Sequence, residues 1–193
     1  MTAWRSATAA AGLALGACSC ARAEPPLYAL DPTHSFVTFE AAHFGTSTSR
    51  GRFERVRGSV QFDRAGKAGR VEVSVATASV STGVAALDGR LRGPDFLDSE
   101  AYPEATFVAE GLTFSGDKVS EVAGSLTLLG RTLPLTLVAS NFNCYVNLLI
   151  LRETCGGDFE ATLQRSRWGM DSGLDIGLPD AVHLLVQVEA IRQ

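Results

Sequence analysis

The sequence predicts an all-β fold: about eight antiparallel strands closed into a barrel, with a short helix near one end. Three observations point there. Apolar and polar residues alternate with a period of two along most of the chain, as they do in half-buried strands. The alternating runs are evenly spaced and joined mostly by short turns, which suits an up-and-down barrel. One stretch, Leu87 to Phe107, breaks the pattern and carries helical spacing instead.

The chain opens on a targeting segment. Arg5 supplies the positive start, and Ala7 to Ala17 is an uncharged run too short to span a membrane. Two processing schemes compete. Ala21, Arg22 and Ala23 form an A-x-A cleavage site, which makes residues 1–23 a signal peptide and 24–193 the mature domain. Leu15 to Cys18 resembles a lipoprotein box, which would anchor the protein through a lipidated Cys18. Both schemes place the protein outside the cytoplasm.

Cleavage after Ala23 leaves 193 − 23 = 170 residues, enough for one domain with a substantial core. It removes two of the 17 basic residues and none of the 21 acidic ones, so the mature charge is 15 − 21 = −6. With no basic run to neutralise phosphates, nucleic acid is excluded as a partner.

The strands begin at Leu27. Ser35, Val37, Phe39, Ala41 and His43 share one face, opposite His34, Phe36, Thr38 and Glu40, and Phe36 implies cover on both sides. An extended run restarts at Gly51 and passes through Gly58 to Phe62, and residues 65–69 turn the chain. Val71, Val73 and Val75 alternate with Glu72 and Ser74. In the central stretch Leu87 and Leu91 lie one helical turn apart. Pro94 stops that helix at Gly93, because its ring disfavours helical backbone in the residue before it. A barrel end needs closing or gating, and this stretch has the shape for it. Further strands follow at Thr106 to Phe114, Val122 to Leu128, Leu133 to Leu137, Phe159 to Arg165 and Val182 to Val188.

The inward set is Val, Leu, Phe and Ala with almost no charge. A barrel of about eight strands can be filled by its own side chains or can hold one small ligand. An apolar lumen predicts an apolar ligand, since a polar one would lose its water without replacement hydrogen bonds. The lumen is expected to be lined by Val37, Phe39, Phe62, Val73, Phe107, Leu126, Leu135, Phe159 and Val186.

Two of the four cysteines, Cys144 and Cys155, survive processing, and in an exported chain an even pair is expected to form a disulfide. Between them lie Leu148, Leu149, Ile150 and Leu151, four consecutive apolar residues in an expected loop. Such a patch marks a contact surface. Contact with a membrane at the barrel opening, a lid, a strand extension and a dimer contact all remain open.

Five motifs occur in order: Asp31, Pro32, His34 and Ser35 after Tyr28; Gly51, Arg52 and Phe53 followed by Gly58; Asp88 to Asp98 with Tyr102, Pro103, Thr106 and Phe107; Gly124, Leu126, Thr127, Gly130, Pro134 and Leu135; and Arg165, Ser166, Trp168 and Gly169. Together, over Tyr28 to Arg192, they resemble the YceI-like family of bacterial exported proteins. The resemblance implies a lipocalin-like antiparallel barrel that binds polyisoprenoid or other long-chain amphiphiles in the periplasm. A homodimer is known in the family and a defined catalytic activity is not. The chain departs from the family pattern at Arg90, Gly93 and Arg167. The insertion from Cys144 to Cys155 resembles a subgroup.

Arg52, Arg165 and Trp168 are the candidates for contacting a polar headgroup. The alternative for Arg165 is pairing with a carboxylate, and for Trp168 plugging the barrel end. His34, His43 and His183 are the only histidines. His34 and His43 fall on opposite strand faces, which argues against a metal site. Asp31 and Asp88 read as backbone caps rather than as an acid–base pair. No nucleophile elbow, P-loop or zinc motif occurs. The expected function is therefore a carrier for a long-chain lipid, with no catalytic residue and no cofactor beyond that ligand. An enzyme modifying such a lipid at the barrel mouth, and a barrel filled by its own side chains, are the alternatives.

Overall fold

The structure, a computed structural model, describes residues 24–193. The signal-peptide and lipoprotein schemes for residues 1–23 fall outside those residues.

Twelve strands share one antiparallel sheet: β1 (Leu27–Leu30), β2 (Phe36–His43), β3 (Ser47–Phe53), β4 (Val56–Asp63), β5 (Ala68–Ala76), β6 (Val80–Ser81), β7 (Glu104–Ala109), β8 (Thr113–Ser115), β9 (Lys118–Leu128), β10 (Arg131–Asn147), β11 (Arg152–Gln164) and β12 (Ala181–Arg192). Eight of them close a ring in the order β1-β4-β5-β7-β9-β10-β11-β12, and β12 returns to β1 with Tyr28 opposite Arg192. Closure leaves the ring without an unpaired edge. The first half of β12 pairs instead with β2, His183 opposite Glu40, and β2-β3-β6 extend the sheet at that end. The barrel fold and the strand number agree with the sequence reading.

The helix α1 (Ala85–Arg92) fills the connection from β6 to β7 and stops where Pro94 dictates, with the Gly93 N–H donating to the Arg90 carbonyl at 3.1 Å. Asp88, in its first turn, accepts from the Thr82 backbone N–H at 2.7 Å and the Thr82 hydroxyl at 2.6 Å. The carboxylate therefore fastens the chain entering the helix at Thr82, while none of the helix's own N–H groups is capped by a side chain at Val84. No residue of α1 itself is buried. Leu97, just beyond it, is buried in the core, and Leu91 packs against that core from the helix.

β10 and β11 are longer than the alternation suggests. Leu135, Leu137 and Ala139 pack toward the core, and then the register shifts between Ala139 and Asn141. This bulge adds one residue to β10 and reverses which parity points inward. Phe142 and Cys144 become the inward residues, and the hairpin continues to a turn at residues 148–151. Cys144 and Cys155 are directly opposite in that hairpin and form a disulfide. The expected loop of the insertion is therefore two paired strands and a four-residue tip.

The tight turn between β9 and β10 places Leu129 (φ 51°) and Gly130 (φ 70°) in the left-handed region, the twist that two-residue hairpin turns need. The β9–β10 turn, α1 and Trp168 gather at one end of the barrel, hereafter the helix end. The disulfide, the residue 148–151 tip and the ends of β1 and β12 gather at the other, the disulfide end.

Candidate functional site

The barrel encloses a cavity of about 200 Å³ whose wall is apolar from one end to the other. Directly paired residues build its middle. Val73 lies opposite Phe107 and Phe107 opposite Leu126, while across the ring Phe159 lies opposite Val186 and Val186 opposite Val37. These six line the cavity, as do Phe62 and Leu135. Phe39 does not. Its ring is taken up by Gly51, where a Cβ would stand 2.5 Å from Phe39 Cζ, and by Phe53 at 6.0 Å between ring centroids. A glycine on the neighbouring strand left a hole for the ring, and parity alone does not register that.

At the helix end Thr77, Leu97, Leu128 and Leu163 line the cavity. Trp168 is 1% exposed beside them, its indole N–H donating to the Leu126 carbonyl at 3.3 Å. Arg165, 5% exposed, donates from Nε to the Pro179 carbonyl at 2.9 Å and from Nη1 to the Met170 carbonyl. Its backbone N–H reaches the Asp180 carbonyl at 2.9 Å. Asp180 receives the Ser166 N–H at 2.8 Å and hydroxyl at 2.7 Å, and these bonds, with the charge of Arg165, hold its carboxyl below the usual range. Arg165 and Trp168 therefore organise the 171–180 connection and close the barrel end. Buried as they are, they do not face a headgroup at the surface. The carboxylate expected beside Arg165 is bonded to Ser166 instead. Arg52 is also displaced from that role. It lies on the outer surface, its guanidinium 4.9 Å from the Phe36 ring centroid and 3.3 Å from Glu54.

The remaining polar candidates are on the outside. Asp31 accepts from the Thr33 N–H at 2.8 Å and hydroxyl at 2.7 Å, and pairs with His34 Nδ1 at 2.8 Å. The hydrogen bonds from Thr33 and His34 depress its carboxyl to about 2, and the bond with Asp31 raises His34. His183 stands between Glu40 at 3.8 Å and Glu160 at 3.6 Å, while His43 packs on Phe44. Among the described residues, Cys144, Glu153 and Cys155 bring metal-ligating atoms together, but the two sulfurs are bonded to each other.

A cluster at the disulfide end went unnoticed in the sequence. The Tyr28 ring lines the cavity, and its hydroxyl donates to Glu153 Oε2 at 2.8 Å. Burial, and then the bond to the Glu153 carboxylate, push the Tyr28 phenol up to about 12. Arg64 Nη2 is 3.3 Å from Glu153 Oε1 and Arg192 Nη1 is 3.6 Å from Oε2. Behind Tyr28 an aromatic group narrows the lumen, with Phe62 at 6.0 Å from Tyr28, 5.6 Å from Phe142 and 6.1 Å from Phe114. Tyr28, Arg64, Glu153 and Arg192 come from four strands or strand ends, and no local spacing links them.

Residues 28–190 match the model of the YceI-like domain. A UPF0312 protein of Pseudomonas savastanoi pv. phaseolicola is 38% identical over 135 residues, which cover 67% of this chain and 70% of that protein. The fold is shared with BcnA of Burkholderia cenocepacia, at a TM-score of 0.66 and 23% identity over 83% of this chain and 98% of BcnA. It is shared also with a polyisoprenoid binding domain from Saccharophagus degradans implicated in plant cell wall breakdown, at a TM-score of 0.61 and 16% identity over 86% of this chain and 98% of that domain.

Proposed function

The chain belongs to the YceI-like domain family, and from that premise we propose that it is a periplasmic carrier that holds a polyisoprenoid or another long-chain lipid in its barrel. The observation that carries this is the cavity wall, apolar along its whole length. Such a wall offers a chain no hydrogen bonds and asks for none, so binding energy comes from burial, on the order of 0.8 kcal/mol per methylene. The likeness to a polyisoprenoid binding domain supports the same ligand class. The disulfide suits an oxidising compartment. Among the described residues no helix is long and apolar enough to cross a membrane. The role proposed is binding, with the ligand unchanged.

Native mass spectrometry of protein purified without added lipid tests this. A bound mass matching a long-chain lipid is expected, and affinity should rise with chain length until the lumen is full. Equal binding of short- and long-chain analogues overturns the proposal.

The carrier must also meet a membrane, and the hairpin tip is suited to that. Leu148, Leu149 and Leu151 are 79%, 94% and 78% exposed at the end of a hairpin clamped by the disulfide. Contiguous apolar groups left in water at a protruding tip favour transfer into a lipid interface. Replacing Leu148, Leu149 and Ile150 with Ser should weaken liposome association and slow lipid transfer between vesicles. Unchanged transfer overturns the membrane contact. A dimer that becomes monomeric on substitution assigns the tip to a subunit interface.

A further inference from the structure

We infer that Tyr28, Arg64 and Arg192 form a subsite for an anionic headgroup of the phosphate class, carried by the chain that fills the lumen. The inference rests on the carrier reading and specifies its ligand further.

The placement comes first. Tyr28 and Cys155 line the cavity at its disulfide end. Arg64 Nη2 approaches the Cys155 sulfur to 4.0 Å, so the guanidinium reaches the cavity wall from outside. The cluster therefore sits where the apolar lumen meets water, and a lipid with its tail inside the barrel would present its head there.

The charge comes second. The chain as a whole is acidic, with 17 basic and 21 acidic residues. Here two guanidiniums share the one carboxylate of Glu153, a local balance of 2 − 1 = +1. The Arg64 and Arg192 side chains are 44% and 51% exposed, and their separations from Glu153 are 3.3 and 3.6 Å. Each guanidinium has five N–H donors. One contact with Glu153 apiece leaves most of them open to a ligand, in the fork geometry that suits phosphate oxygens.

The arrangement around Glu153 comes third. Its two oxygens are held by the Tyr28 hydroxyl and the two guanidiniums. That is three donors converging on one anion at the end of an apolar channel. The Glu153 carboxylate occupies the position a headgroup would take, and a phosphate with more charge and more acceptor oxygens can displace it. Glu153 then acts as a placeholder that keeps the donors oriented in the empty barrel and competes with the ligand.

A chain-matched pair, farnesyl phosphate and farnesol, tests the subsite by calorimetry on the full mature chain. The wild type is expected to bind the phosphate at least tenfold more tightly than the alcohol, and the preference should shrink as salt screens the half-exposed charges. In Arg64→Gln and Arg192→Gln, measured separately, the ratio should fall several-fold, and in the double variant it should approach one. Glu153→Gln removes the competing anion and should raise the ratio above the wild-type value. Near-ultraviolet circular dichroism of each variant checks that the barrel is intact. Inorganic phosphate in tenfold excess should leave bound farnesyl phosphate in place, having no chain to bury. Displacement by it would assign the cluster to free phosphate and overturn the headgroup role. Equal affinity for the two ligands, or a preference that survives in the double arginine variant, overturns the subsite while leaving the carrier standing. If neither ligand binds, the carrier reading itself falls.

Discussion

The Phe107 ring rests directly on Gly124 inside the barrel: a Cβ at position 124 would stand 2.5 Å from Phe107 Cζ and 2.6 Å from the Val108 carbonyl oxygen. The glycine is the space in which the ring lies. Phe107 in turn forms part of the cavity wall, so the contact sets how much of the lumen stays open. Gly124→Ala is expected to force the ring away and strain β7, destabilising by about 1–3 kcal/mol. Thermal unfolding should show a lower midpoint, and the longest chain the protein retains should become shorter. An unaltered midpoint would mean that the ring moves without resistance.

Filling the lumen from the opposite wall should limit the ligand without touching the surface. Val186 lies between Phe159 and Val37 in the middle of the barrel. Val186→Phe should shorten the longest lipid recovered by native mass spectrometry, at a stability cost of about 1–3 kcal/mol. Recovery of the same lipid would place the chain outside this cavity.

The Cys144–Cys155 bond closes a segment with a sequence separation of 11. In the chain-entropy model a loop of this size contributes about 3 kcal/mol. The double Ser variant should lose about that much unfolding free energy in denaturant titration, and non-reducing peptide mapping of the native protein should find the two peptides linked. Two free thiols in protein isolated without reductant would contradict the bond.

Trp168 is nearly sealed from solvent and bonded to the Leu126 carbonyl. Trp168→Ala should cost about 3–5 kcal/mol through the cavity it leaves. Trp168→Phe keeps most of the volume and loses the N–H, so it should cost less. Urea titration separates packing from hydrogen bonding in this way, and equal losses in the two variants would assign the whole effect to the indole N–H.

Asp31 and His34 predict a pH dependence. The Asp31 carboxyl is depressed from 3.8 to about 2, first by the Thr33 hydrogen bond and then by His34. Its contribution is present above pH 3.8 and fades as pH falls toward 2. His34 is raised from 6.5 by its bond to Asp31, so its contribution is complete below 6.5 and fades as pH rises through the raised value. The stability difference between wild type and Asp31→Asn should therefore be widest between about pH 4 and 6.5 and narrow on both sides. His34 is largely exposed, so the difference will be small. A difference that does not vary with pH would show that the pair contributes only its uncharged turn geometry.

The period-two runs at Val71 to Val75 and Val182 to Val188, and the proline after Gly93, determined the all-β class, most strands and the end of helix α1. These are local properties: side-chain parity follows from strand geometry, and proline acts on its own neighbour. Parity also named eight cavity residues, because in a closed barrel one face of every strand points inward. It failed where the chain departs from a regular strand. The bulge after Ala139 reversed the inward parity and hid the long hairpin, and the hole at Gly51 took Phe39 out of the cavity wall. The polar positions depended wholly on the tertiary structure. Arg165 and Trp168 are polar-tipped residues that the fold buries, and the side chains around Glu153 lie up to 125 positions from it along the chain and meet it only when β12 returns to β1. Barrel closure is a long-range event. It decides which charges end up at the mouth, and no spacing along the chain encodes it.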